Sequence, residues 1–240
     1  MDATRARFES ELGFELDAFQ REALDALDAG GSVVVAAPTG SGKTVVAQYA
    51  VSLAIAGGHK AFYTTPLKAL SNQKYGELVR RHGASSVGLL TGDNSINGDA
   101  PVVVMTTEVL RNMIYSAAPA LDNLRYVVLD DMHVYRGVFG SHVGLVLRRL
   151  WRTCRVHGSA PQVICTSATI ANPQEFGSRL TGRPLRLVDD DGAPRGPRGS
   201  ADPRPGPAQA RAGARARRRP RGSAPGPGQR PRSVSVARQR

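Results

Sequence analysis

The chain runs to 240 residues with a formal net charge of +12, and that charge sits in one segment: residues 1–191 are formally neutral, whereas residues 192–240 hold 13 Arg against a single acid, Asp202. The basic balance is therefore no sign of a nucleic-acid-binding patch on the first 191 residues. Cys154 and Cys165 lie too far apart for a short metal-ligand pair and indicate neither zinc nor a disulfide framework; with no charged-then-apolar leader and no apolar run of membrane length, a cytoplasmic protein without membrane contact is expected.

In chain order, a helix is expected over residues 17–29, stopped by Gly30-Gly31, and the unbroken apolar run Val33-Val34-Val35-Ala36 reads as a strand buried on both faces. Directly behind it stands Ala37-Pro38-Thr39-Gly40-Ser41-Gly42-Lys43-Thr44, a strand-then-loop order that places a triphosphate here. Gly40 and Gly42 let the backbone turn successive N–H groups inward on a phosphate, and the helix expected over 43–56 adds the positive end of its dipole. Thr39 and Ser41 complete the cradle, Lys43 is expected to reach the β/γ-phosphates and serve catalysis, and Thr44 is expected to ligate Mg²⁺. Ala37 stands where the usual pattern has Gly, a small residue that leaves the cradle intact.

Beyond Gly57-Gly58, strands are expected at 61–63, 87–90, 102–105, 126–129 and 163–165, and helices over 67–82, 107–116, 141–156 and 172–180. This alternation predicts an α/β fold, a doubly wound and mostly parallel sheet covered on both faces, with ligands beyond the carboxyl ends of its strands. The run Val127-Val128-Leu129 delivers Asp130 and Asp131 to that end. Asp130 is expected to hold Mg²⁺ opposite Thr44, and Asp131 to orient and deprotonate the attacking water.

These residues in this order resemble the first RecA-like domain of a superfamily two helicase of the DExH type, over nearly all of residues 12–195. Gln20 lies 23 residues before Lys43, as the adenine-reading glutamine does in such helicases, and its amide can both donate to and accept from the adenine edge. Thr64-Thr65-Pro66-Leu67-Lys68-Ala69-Leu70-Ser71-Asn72-Gln73 resembles motif Ia, which implies that Pro66, Lys68 and Gln73 grip the phosphates of a single strand near a helix N-terminus. Thr91-Gly92-Asp93 and Thr106-Thr107-Glu108-Val109-Leu110 resemble further strand-contacting motifs, implying such contacts for Thr91, Gly92, Thr106 and Thr107. Ser167-Ala168-Thr169 resembles motif III and His133 the last position of the DExH box. The resemblance implies that His133, Ser167 and Thr169 couple the nucleotide site to the nucleic-acid track. Up to about Leu129 the wording is similar to actinobacterial superkiller-type RNA helicases, and after it to bacterial DNA-repair helicases that carry a C-terminal zinc-binding domain, so RNA and DNA both stay open.

The resemblance implies ATP and Mg²⁺ as cofactors and single-stranded or partly duplex nucleic acid as partner. Where the family has Glu, this chain has Asp131, whose carboxylate falls about 1.5 Å short; a misplacement of about 1 Å can cost roughly 10²-fold in rate. Residues 1–191 are expected to form the ATP-binding domain, with no second RecA-like domain and hence little activity alone. Residues 192–240, with 8 Gly, 9 Pro and only Val234 and Val236 as large apolar side chains, are expected to be disordered. A slipped reading frame in a GC-rich gene would produce such a tail, and an arginine-rich arm binding nucleic acid by counterion release is the competing reading. A non-catalytic, nucleotide-dependent nucleic-acid binding module is the alternative to an enzyme.

Overall fold

The structure, a computed structural model, describes residues 3–115 and 121–189; the tail over 192–240 and Ser116 lie outside the described residues. The elements follow as α1 (Ala3–Ser10), α2 (Ala18–Asp28), β1 (Val33–Ala36), α3 (Thr44–Ala56), β2 (Lys60–Thr65), α4 (Lys68–His82), β3 (Val87–Leu90), β4 (Ser95–Ile96), β5 (Val102–Thr106), α5 (Thr107–Tyr115), β6 (Leu124–Leu129), α6 (Gly137–Val156), β7 (Gln162–Ser167), α7 (Pro173–Thr181) and β8 (Arg186–Val188). These eight strands join one sheet in the order β4-β3-β5-β2-β6-β7-β1-β8. Every pairing among them is parallel except that of β4 with β3.

Side chains alternate across this sheet with the strand period of two and feed two cores. Val33, Val35, Ala61, Tyr63, Val102, Val104, Val128 and Ile164 face one layer with the apolar residues of α1 to α4. Val34, Phe62, Val103, Met105, Val127, Leu129, Val163 and Cys165 face the other with those of α5, α6 and α7. Both faces being dry, the strands have no polar side to show, which is why they read as continuous apolar runs. Burial pushes the Cys154 thiol up to about 11 and the Cys165 thiol higher still, so both behave as small apolar core residues.

Three elements lie beyond the sequence expectation. α1 carries little apolar periodicity, and the structure fixes it instead by burying Phe8 and by ion pairs from the buried Arg5 to Glu9, Asp25 and Asp28. β4 is an exposed two-residue strand, and β8 adds three residues beside β1. α6 begins at Gly137 rather than Ser141, one turn earlier than expected. Its first turn lies so close to the preceding chain that a Cβ on Gly140 would sit 2.2 Å from the Tyr135 carbonyl oxygen, an approach open only to glycine. Trp151 Nε1 donates to the Thr181 carbonyl at 2.7 Å and ties α6 to the end of α7.

Candidate nucleotide site

β1 and α3 are joined by the glycine-bearing loop, and its geometry follows from its sequence. Gly40 and Gly42 take φ of +88° and +80°, the left-handed region that ordinary residues avoid. Lys43, partly buried, folds back over the loop, and its ammonium donates to the carbonyls of Ala37 at 2.5 Å and Pro38 at 2.6 Å. Two of its three N–H bonds are thereby used and one is left. Desolvation lowers the Lys43 pKa from its ordinary 10.5, ahead of the opposing pull of Asp131 and Asp130.

Gln20 sits beneath this loop, almost fully buried. Its Oε1 accepts the Asp17 N–H at 2.9 Å, the return half of a capping box at the start of α2, and its Nε2 donates to the Gly42 carbonyl at 3.2 Å. A Cβ on Gly42 would lie 2.5 Å from that Nε2. The glutamine singled out as an adenine reader thus also ties the helix before β1 to the loop after it. One amide N–H and a second lone pair stay available.

Asp130 and Asp131 follow β6, and the sheet register brings them beside the loop. β7 lies between β1 and β6, pairing Ala36 with Ser167 and Leu129 with Cys165, so the chain leaving β1 and the chain leaving β6 flank the end of β7. Asp130 is buried, and each of its oxygens receives one hydroxyl: Tyr63 donates to Oδ2 at 2.8 Å and Thr166 to Oδ1 at 2.5 Å. Asp131 is partly exposed and takes φ +52°, ψ +44°, with its N–H donated to Thr166 Oγ1 at 3.1 Å. Short polar side chains are the ones that tolerate this left-handed conformation. A 3₁₀ turn, Met132–Val134, carries His133. His133 Nδ1 accepts the Ala168 N–H at 3.2 Å, which leaves the ring proton on Nε2. The Asp131 carboxylate 4.0 Å from Nδ1 is therefore not its proton partner.

The residues singled out for nucleic acid all stand at carboxyl ends of neighbouring strands. Pro66 and Lys68 follow β2, with Gln73 one turn into α4; Thr91 and Gly92 follow β3; Thr106 ends β5 and Thr107 opens α5. Lys68 pairs with Asp93, Gln73 donates to Glu77, and the Thr91 and Thr106 hydroxyls accept backbone N–H groups of Asn94 and Val109. Gly92 is exposed and Thr107 is buried. On the far side of Asp130 and Asp131, Ser167 is buried and bonds to the Ala168 carbonyl while Thr169 is exposed. A surface concavity of about 740 Å³ between α6 and α7 includes no residue of the glycine-bearing loop.

The loop's left-handed glycines and its lysine accept anionic oxygens, and the Thr44 hydroxyl with the Asp130 carboxylate is a hard-oxygen set suited to Mg²⁺, so the residues present fit a magnesium-bound nucleoside triphosphate. Set in a parallel sheet of this order, they define a P-loop nucleotide-binding domain of the RecA-like α/β type. Comparison with known proteins narrows the class. The sequence pattern of the DEAD/DEAH box helicase family matches residues 17–176, and the chain belongs to that family.

Among relatives, the probable helicase HelY of Mycobacterium tuberculosis (strain CDC 1551 / Oshkosh) is 53% identical over 175 residues, covering 71% of this chain and 18% of that protein. The antiviral helicase SKI2 of Saccharomyces cerevisiae is 41% identical over 169 residues, 69% of this chain and 12% of that one. A crystal structure of the DUF1998 helicase MrfA bound to DNA and AMPPNP superposes with a TM-score of 0.72 at 38% identity, covering 82% of this chain and 30% of that chain. This chain therefore spans less than a third of each of these relatives. HelY, SKI2 and MrfA each match across most of this chain, which supports the superfamily two helicase resemblance read from the sequence.

Two members of the site escape sequence reasoning. Tyr63 and Thr166 lie on the strands flanking β6, and only the strand order shows that their hydroxyls meet the Asp130 carboxylate.

Proposed function

We propose that this chain supplies the ATP-gripping side of a helicase cleft, in which ATP hydrolysis drives unwinding or translocation on single-stranded or partly duplex nucleic acid in the cytoplasm. The observation that carries this reading is the Lys43 ammonium, held at the mouth of a left-handed glycine loop within the field of Asp130 and Asp131. In it, Thr39, Gly40, Ser41, Gly42, Lys43 and Thr44 hold the phosphates, and Gln20 meets the adenine edge with the amide capacity it has left. Thr44 and Asp130 hold Mg²⁺, which when bound neutralises charge on the β- and γ-phosphates. Asp131 accepts the proton of the attacking water, while His133, Ser167 and Thr169 link that site to the strand track at Pro66, Lys68, Gln73, Thr91, Gly92, Thr106 and Thr107. Residues 1–191 act as one folded unit in this scheme.

The test is a titration of the purified chain with a fluorescent ATP analogue in Mg²⁺. Saturable binding that Lys43→Met weakens at least about tenfold, the loss of one charge-assisted contact, is the expected outcome. Equal binding by the two proteins would overturn the reading. A second reading, a nucleotide-dependent binding module without turnover, is favoured by the short carboxylate at Asp131; ATP binding with no phosphate release at any nucleic-acid concentration would select it.

A further inference from the structure

Two buried hydroxyls converge on one carboxylate. Tyr63 on β2 is fully buried and donates to Asp130 Oδ2 at 2.8 Å; Thr166 on β7 is buried and donates to Oδ1 at 2.5 Å. Because β2 and β7 are the two neighbours of β6, the carboxylate at its tip is clamped from both sides, and any rotation of its plane strains both bonds. Each oxygen still has a lone pair to offer a cation. Thr166 does a second job: its oxygen accepts the Asp131 N–H at 3.1 Å, pinning the left-handed turn that aims Asp131. Phe and Val fill similar space, so putting them here keeps most of the packing while taking from the buried Asp130 carboxylate the hydrogen bond that each of its oxygens accepts.

We propose that Tyr63 and Thr166 are positioning residues that orient the Asp130 carboxylate for Mg²⁺, an inference that rests on the reading of Asp130 as a metal-holding residue. The clamp also has an address. Tyr63 immediately precedes the segment of Pro66 and Lys68, and Thr166 immediately precedes Ser167, so the carboxylate is tied to the two stretches assigned to strand contact and coupling.

The experiment measures affinity for a fluorescent ATP analogue with Mg²⁺ and in excess chelator, and reads the ratio of the two. Tyr63→Phe and Thr166→Val should each cut the Mg²⁺-dependent gain by about tenfold or more, the scale on which partners of metal-ligating groups act. Thr166→Ser, which keeps the hydroxyl, should restore most of it. Tyr49→Phe is the control for lost stability, because it removes a buried phenol that donates to a different carboxylate, Asp28, at 2.6 Å; its ratio should match the wild type. If Tyr63→Phe and Thr166→Val keep the wild-type ratio while Asp130→Asn loses it, the proposal is wrong. A wild-type chain with no Mg²⁺-dependent gain would instead sink the metal reading on which it stands. Should Tyr63→Phe fail to fold, the pair Thr166→Val and Thr166→Ser decides the matter.

Discussion

Replacing Asp131 by Glu should make the protein less stable and faster at once. Asp131 holds φ +52°, ψ +44°, a conformation that costs an ordinary L-residue roughly 1–2 kcal/mol and that aspartate tolerates through its short polar side chain. Glutamate loses that relief, so Asp131→Glu should lower unfolding stability by about 1 kcal/mol, a fall of about 2–4 °C in Tm for a domain of this size. The added methylene carries the carboxylate about 1.5 Å further toward the water it must orient. If reach is what limits the base, phosphate release should rise by roughly 10²-fold. The assay is single-turnover hydrolysis, protein in excess over ATP, with a saturating single-stranded oligonucleotide, beside a thermal melt of each protein. Asp131→Asn, which keeps the shape and removes the base, should abolish release. A glutamate variant no faster than wild type would refute the argument from reach, and one with a higher Tm would refute the argument from backbone conformation.

Two further outcomes follow from the geometry. Because desolvation lowers the Lys43 pKa below its ordinary 10.5, and phosphates favour the charged form, ATP affinity should be full below that lowered pKa. It should fall as pH rises through it, earlier than for an exposed lysine; binding measured from about pH 7 to 10 should stay flat in Lys43→Arg, whose guanidinium keeps its proton. Gly140→Ala places a Cβ 2.2 Å from the Tyr135 carbonyl oxygen, a clash with backbone rather than with a flexible side chain. It should cost about 1–3 kcal/mol in chemical denaturation, and an unchanged midpoint would mean that the start of α6 yields more easily than its packing suggests.

Much of the fold is legible in the sequence because its strands are dry on both faces and its helices are not. Val33–Ala36 and Val87–Leu90 are readable to the residue, since nothing polar interrupts them. β2 and β7 read short, because Thr64, Thr65, Thr166 and Ser167 look like loop residues until the structure shows them buried with hydroxyl partners, such as Thr64 Oγ1 on the Val128 carbonyl at 2.8 Å. α1 is illegible for a different reason: Arg5 joins it to Asp25 and Asp28, some twenty residues away, and no local pattern announces an ion pair of that span. At the candidate site, Lys43, Thr44, Asp130 and Asp131 stand out in the sequence because phosphate and Mg²⁺ chemistry would constrain residue type at fixed spacing. Tyr63 and Thr166 are not, because their role depends on which strands are neighbours, and strand order is a tertiary fact.

If the loop holds nucleotide as proposed, the bonds from Lys43 to the Ala37 and Pro38 carbonyls make it a filter. The ammonium already has two acceptors, so an incoming ligand gains only the difference between what it offers and what those carbonyls provide. A ligand bearing one phosphate, or none, offers little surplus, whereas the contiguous charge of a triphosphate offers a great deal. On the proposed reading, selectivity among nucleotides by phosphate number would be set in part before any nucleotide arrives, by a lysine with one N–H still to give and two already engaged on its own backbone.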